Sequence, residues 1–260
     1  MNLEHLNQLV ARIDYVESTG STNADVAAAA LNSPTDWPDL SVLAAGSQTA
    51  GRGRSGRQWD SPVDSSLSVS ILVRPHGVGL ERFGWLPILA GLAMTKAVAE
   101  LLPEREVSLK WPNDVLVGDQ KISGILSELL SDGSGVVIGV GLNIAQDKNE
   151  LPIETATSLR LEGATVSFEA ALEAFLNEFV QLYRAFTLYR GDADASGLRR
   201  SASAKCSSLG RRVRVILPGE QEVEGKGVEL DQSGRILVAV DGEHQLYAVA
   251  AGDIVHLRHN

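Results

Sequence analysis

Cysteine is almost missing from this chain: among 260 residues only Cys206 is present, which excludes an intrachain disulfide and any cysteine-rich metal site and fits a reducing compartment. Its plain reading is a small buried thiol. Positive charge is also in deficit. With 23 Lys+Arg against 33 Asp+Glu the formal net charge is −10, so a long polyanion is repelled except at a local basic patch. Long apolar runs are lacking too. The richest, residues 85–98, is broken by Pro87, Thr95 and Lys96 and reads as too short for a bilayer span. Residues 1–12 carry Glu4, His5, Asn7 and Gln8, so they show neither a secretory signal nor an arginine-rich transit pattern. These absences predict a cytoplasmic protein with no membrane or nucleic-acid partner. What remains, 44% hydrophobic and 22% charged residues, is enough for a sizeable core.

The sequence concentrates glycine and arginine in one place. Gly51-Arg52-Gly53-Arg54-Ser55-Gly56-Arg57, with Trp59 just beyond, interleaves residues that permit φ > 0 and close backbone approach with residues that offer forked donors to carboxylate and phosphate oxygens. Further on stands Lys110-Trp111-Pro112-Asn113-Asp114. The combination suits an acid held beside a nucleotide. Arginine-glycine tracts also bind RNA without folding, but those usually repeat inside low-complexity sequence, whereas this one is a single copy between two apolar segments.

Apolar runs of strand length alternate with helical patterns, which predicts a mixed α/β core. A short helix is expected over 3–11, a strand over 13–16, a helix capped by Thr22 or Asn23 and running to Leu31, and a buried strand over 41–45. A half-buried strand is expected over 67–73 and a long helix over 80–102, ended by Pro103. Strands over 107–110, 114–117, 122–130 and 136–144, separated by turn residues, imply an antiparallel or mixed sheet. Three- and four-residue apolar spacing from Phe168 to Phe186 marks a packing helix over 167–189. After Gly210, alternation between glycine-rich turns predicts a small all-β module, dividing the chain into 1–208 and 209–260.

The arginine-glycine loop, Lys110-Trp111-Pro112-Asn113-Asp114, Lys121-Ile122-Ser123-Gly124-Ile125-Leu126 and Gly139-Val140-Gly141-Leu142-Asn143 occur in the order and approximate spacing of biotin protein ligases, and the β-rich tail resembles their C-terminal domain. Ser21-Thr22-Asn23 and Gln48 add to the resemblance, which spans nearly the whole chain. It implies an α+β catalytic domain related to the class II synthetase and lipoate ligase fold, followed by a small SH3-like barrel. It also implies a two-step reaction: biotin and ATP give biotinyl-adenylate and pyrophosphate, and the biotinyl group then passes to a lysine of a biotin carboxyl carrier domain.

Carried onto this sequence, the resemblance assigns the ureido ring to Ser21, Thr22, Asn23 and Gln48. Ser18-Thr19 repeats the pair upstream, and the Asn after Thr22 selects the second copy. Gly51, Arg52, Gly53 and Arg54 are expected to cover the biotin carboxylate, with Gly124 also at the biotin site and Lys121 and Arg54 as the catalytic cations. Arg57, Trp59, Lys110, Asn113, Asp114 and Asn143 are placed with Arg54 and Lys121 around the nucleotide, and Asp114 is the candidate ligand for magnesium. The loop is expected to be mobile without ligand and to exclude water when closed. Only about twenty residues precede Ser21, so a monofunctional enzyme without a DNA-binding domain is expected, as a monomer or weak homodimer. Lipoate or octanoate ligases share the chemistry, but their arginine-glycine-glycine pattern is not found. A nucleic-acid module built on the arginine loop is the reading from a different class.

Overall fold

The structure, a computed structural model, describes residues 3–59, 65–217, 219 and 221–257. Its larger sheet contains β1 (Arg12–Val16), β2 (Ser41–Ala45), β3 (Ser66–Val73), β4 (Val107–Lys110), β5 (Asp114–Val117), β6 (Gln120–Leu129) and β7 (Val136–Asn143), in the order β1-β2-β3-β7-β6-β5-β4. β1 and β2 run parallel and the other neighbours antiparallel, giving the mixed sheet expected from the turn spacing.

The alternation of side chains along β3 and β7 assigns the two faces. Leu67, Val69, Ile71 and Val73, with Ile138, Val140 and Leu142, point into the main core beneath α2 (Trp85–Leu101) and α3 (Phe168–Leu188). Leu72 and Val137 instead join Val26 and Ala30 of α1 (Thr22–Asn32) on the opposite face. β3 is buried along its whole length rather than half-buried, because its serine-rich face is covered as well.

Other expectations shift in detail. The N-terminal helix is a short 3-10 helix, Glu4–Gln8. The N-cap of α1 is Ser21, whose side chain makes no capping bond, while Thr22 and Asn23 sit in the first turn and are buried. The helix expected over 80–102 divides into a 3-10 turn, Leu80–Arg82, and α2. Segment Leu80–Leu101 is in fact long and apolar enough to cross a membrane by length and composition, contrary to the expectation drawn from its interruptions. Its apolarity is accounted for by the core: nearly every side chain from Trp85 to Val98 is buried, with α3 packed alongside. α4 (Leu198–Lys205) was not anticipated, since Leu198-Arg199-Arg200-Ser201-Ala202-Ser203-Ala204-Lys205 buries only Leu198 and Ala202 and shows no apolar stripe. Cys206 follows it and is buried, which raises its thiol pKa.

The β-rich tail folds as β8 (Arg212–Ile216), β9 (Glu222–Leu230), β10 (Ile236–Ala239), β11 (Leu246–Val249) and β12 (Asp253–His256), ordered β11-β10-β9-β8-β12. Among the described residues β11 and β12 are the ends of this sheet, so its pairings do not close into a full barrel. The β9–β10 turn docks it on the start of α2, the 3-10 turn before it and the β4–β5 turn: Trp85 Nε1 and Arg82 donate to the Gln232 carbonyl, and Trp111 Nε1 donates to that of Gly234 at 2.9 Å. The Trp111 amide also donates to the hydroxyl of buried Ser208, which lies 3.1 Å from His256 Nε2.

Burial, and then the charges of Lys110 and Arg211, push the pKa of His256 down from 6.5 to about 4. The folded chain therefore takes up that proton less readily than the unfolded one. The stabilisation is fully present above about pH 6.5 and is lost as pH falls through about 4. Thermal unfolding of His256→Gln is expected to lose less stability than the parent between these pH values, by on the order of 1 kcal/mol after allowing for solvent screening. Parallel pH profiles of the two proteins would rule this out.

Candidate active site

The site begins with side chains that are not there. Gly124 of β6 pairs with Gly141 of β7, Gly141 with Ser68 of β3, and Gly139 of β7 with Ser70 of β3. Cross-strand partners share a face, so these positions form a patch of sheet nearly free of side chains beside the end of α1. Neighbouring groups lie directly on it. A Cβ on Gly141 would overlap the Trp59 indole, one on Gly139 would overlap the Asn23 amide, and one on Gly124 would stand 3.1 Å from Lys121 Nζ and 3.3 Å from the Trp59 ring. Above this floor is a cavity of about 340 Å³.

One end of the cavity is polar and neutral. Ser21, Thr22, Asn23 and Gln48 line it. The Thr22 amide donates to Gln48 Oε1 at 2.8 Å, Ser70 Oγ donates to Asn23 Oδ1 at 2.6 Å, and Asn23 Nδ2 donates to Glu128 Oε2 at 2.7 Å. Thr19, in the upstream copy of the Ser-Thr pair, is half-buried, bonded to Asp25 and absent from the cavity lining.

The other end is cationic. Gly53, Arg54, Arg57 and Trp59 reach it from a hairpin in which Gly53 N–H bonds the Arg57 carbonyl and Trp59 N–H bonds that of Gly51, while Arg52 of the same hairpin leans toward Glu128, the carboxylate that also takes the Asn23 amide. The glycines act differently from one another. Gly51 and Gly53 do not have positive φ. Gly51 is required because a Cβ would strike the Trp59 carbonyl, and it does not itself line the cavity. Gly56, at φ +74, and Ser55, at φ +54, take the left-handed conformation that turns the loop. Trp59 Nε1 is buried with no hydrogen-bond partner among the described residues, a donor available to a ligand.

The loop is tied from both sides. Arg54 donates to Asn113 Oδ1 at 2.7 Å and to the Gly252 carbonyl at 3.1 Å, and Arg57 grips both oxygens of Asp253 at 2.9 and 2.8 Å. Arg52 lies 3.5 Å from Glu128. Lys121 enters the cavity from β6 with Nζ 2.6 Å from Asp114 Oδ1. Burial lowers the pKa of Arg54, opposed by Asp253 and Asp114; burial likewise lowers that of Lys110, with Asp114 opposing and Lys121 reinforcing. Arg52, Arg54, Arg57, Lys110 and Lys121 thus meet three carboxylates, Asp114, Glu128 and Asp253, and the excess positive charge favours an anion.

Three expected residues stand apart from the cavity lining: Gly51, Lys110 and Asp114. Lys110 lies behind it, and Asp114 is turned onto Lys121. Asn113 does line it, but its amide is engaged by Arg54 and by the Ile125 carbonyl. Asn143 similarly donates to Thr157 and accepts from Gln146, holding the segment that brings Pro152, Ile153 and Ala156 to the cavity wall. No cluster of three metal-ligating side chains occurs among the described residues, and Asp114 already shares its charge with Lys121, so these residues do not fit a resident metal held by the protein.

Glu128 and Asp253 hold side chains of the cavity lining, and the sequence did not disclose them. Asp253 lies 196 positions from Arg57, and no local pattern marks it. The glycine floor had a usable signal: Gly139 and Gly141, two apart in a strand, must share one face.

Two outcomes follow. Asp253→Asn should free the hairpin, raising amide hydrogen exchange in residues 51–59 by roughly fivefold, the equivalent of about 1 kcal/mol for a partly exposed pair; unchanged protection would show that the C-terminal sheet does not restrain the loop. Gly141→Ala should displace the indole of Trp59 and weaken binding of the acid by at least about tenfold in titration calorimetry. Wild-type affinity in that variant would show that the glycine floor does not shape the binding site.

The model of the biotin/lipoate A/B protein ligase family matches residues 15–143, and that of the biotin protein ligase C-terminal domain matches residues 208–257. The biotin–[acetyl-CoA-carboxylase] ligase of Mycobacterium tuberculosis is 39% identical over 249 residues, covering 95% of this chain and 90% of that protein. Its counterpart in Paracoccus denitrificans is 30% identical over 240 residues, covering 89% and 96%. The solved biotin protein ligase from Aquifex aeolicus in complex with biotin and ATP superposes with a TM-score of 0.76 at 27% identity, over 95% of this chain and 99% of that one. Sequence and fold therefore agree along nearly its full length, and the chain belongs to the biotin protein ligase family.

Proposed function

We propose that this ligase joins biotin to ATP in the cavity above Gly124, Gly139 and Gly141 and then passes the biotinyl group to a lysine of a biotin carboxyl carrier domain. The observation that carries this reading is the polarity of the cavity: neutral hydrogen-bonding groups at the α1 end and converging cations at the other. Biotin has matching ends, a neutral ureido ring and a carboxylate. Ser21, Thr22, Asn23 and Gln48 meet the ring, and the side-chain-free floor admits its bicyclic body.

In the first step a carboxylate oxygen attacks the α-phosphorus and pyrophosphate leaves. Two anions must approach, so fixed positive charge that needs no reorganisation lowers the barrier. Lys121 and Arg54 supply it between carboxylate and α-phosphate, with Arg52 over the carboxylate and Arg57 toward the phosphates. Asn113 positions Arg54, Lys110 adds positive potential from behind, and Trp59 shields the acyl phosphate from water. The 152–156 wall and Asn143 frame the nucleotide. Magnesium enters as part of the nucleotide substrate, with Asp114 as a single carboxylate near it. The enzyme acts in the cytoplasm, as a monomer or weak homodimer.

The test is pyrophosphate release with ATP and biotin, lipoate or octanoate in turn, followed by labelling of a carrier domain. Biotin alone should support both steps, and labelling by lipoate alone would end the assignment. Lys121→Ala should lower biotin-dependent ATP–pyrophosphate exchange by about 10²–10³-fold. Full exchange in that variant would dismiss Lys121 from the chemistry.

A further inference from the structure

A second cavity, of about 330 Å³, lies between the larger sheet and the C-terminal sheet. It shares Arg54, Asn113, Ile125 and Leu126 with the first, so the Arg54–Asn113 pair is the partition between them. We propose that this inter-sheet cavity is the path by which the acceptor lysine reaches the activated acyl carbon; the inference rests on the ligase reading above and specifies how its second substrate enters.

Three observations support a lysine as the occupant. Continuity comes first: Arg54, one of the cations assigned to the acyl phosphate, lines both cavities, so an amine arriving through the second enters the first beside it. The throat, next, is apolar where Pro87, Ile88, Pro112 and Ile125 line it, suited to a tetramethylene stem. Charge is the third. Exposed Glu81 lines the cavity and has no cationic partner among the described residues, while the other rim charge, Arg235, is neutralised by Asp231 at 2.6 Å. Ser127 Oγ, also on this wall, is buried with no hydrogen-bond partner among the described residues and can take an N–H from the passing amine.

This arrangement also deals with the proton. A lysine ammonium is not nucleophilic; Glu81 attracts it, and removal from water beside the fixed charge of Arg54 then favours the neutral amine, with the proton released to solvent at the rim. The neutral nitrogen adds to the acyl carbon, the carbon–oxygen bond to phosphate breaks with its electron pair leaving on AMP, and loss of the second proton leaves the amide.

Ala250 and Ala251, exposed at the rim on the C-terminal sheet, allow the path to be filled without disturbing the core. Ala251→Trp should slow transfer from preformed biotinyl-adenylate to the carrier domain by at least about tenfold while biotin-dependent pyrophosphate exchange stays within about twofold. Glu81→Lys should raise the KM for the carrier domain by about tenfold with exchange again preserved. Undiminished transfer in Ala251→Trp overturns the proposal, as does an unchanged carrier KM in Glu81→Lys or an equal fall of both half-reactions in Ala251→Trp. Absence of biotin-dependent exchange in the unmodified protein would instead defeat the ligase reading itself.

Discussion

Removing side chains from one patch of a buried sheet is the constraint from which the rest of the site follows. Where Gly124, Gly139 and Gly141 come together, the backbone itself becomes the surface, and groups that a Cβ would repel can lie flat against it. The Trp59 indole and the Asn23 amide occupy that space from two different directions, one carried by the cationic hairpin and one by α1. The same sheet is ordinary on its other face, where Val69, Ile71, Ile138 and Val140 build the core. A rigid scaffold and an open slot thus occupy opposite sides of the same strands.

The cations then have to be held without being cancelled. Each is given a few partners rather than a cage: Asp114 for Lys121, Asp253 for Arg57, and Asn113 with the Gly252 carbonyl for Arg54. Partial compensation keeps semi-buried charge tolerable in the absence of an anion, while leaving positive potential directed into the cavity. Asp253 also makes the C-terminal sheet part of the site, since the hairpin is anchored on it through Arg57 and through the Gly252 carbonyl. The two sheets are further joined by the indole bonds of Trp85 and Trp111 to one turn, so neither can shift far without disturbing the partition at Arg54 and Asn113.

Strand positions and the long helices were legible because their signals are local. The 41–45, 107–110 and 114–117 segments emerge within the expected bounds, and α3 follows its apolar stripe from Ser167, whose hydroxyl accepts the Ala170 amide as a cap. Where local signals conflict, tertiary packing decides. Thr22 and Asn23 look like caps but turn inward to the sheet, leaving the N-cap position to Ser21. β3 alternates serine with aliphatic residues as a half-exposed strand does, yet α1 and the loop cover the serine face. α4 gave no periodic signal because only two of its eight residues are buried.

The sequence by itself determined the family, the order of the elements and the identity of most groups around the cavity, because motif composition and short-range periodicity are written along the chain. The tertiary structure alone decided which of those groups face the cavity and which stand behind it. Lys110 and Asp114 belong to the same motif as Asn113 yet do not line it, while Glu128 and Asp253, outside the recognised site residues, hold Asn23 and Arg57. The physical reason is that hydrogen bonds and ion pairs depend on distance in space, and contacts across 105 and 196 positions of chain leave no local imprint on the residues that make them.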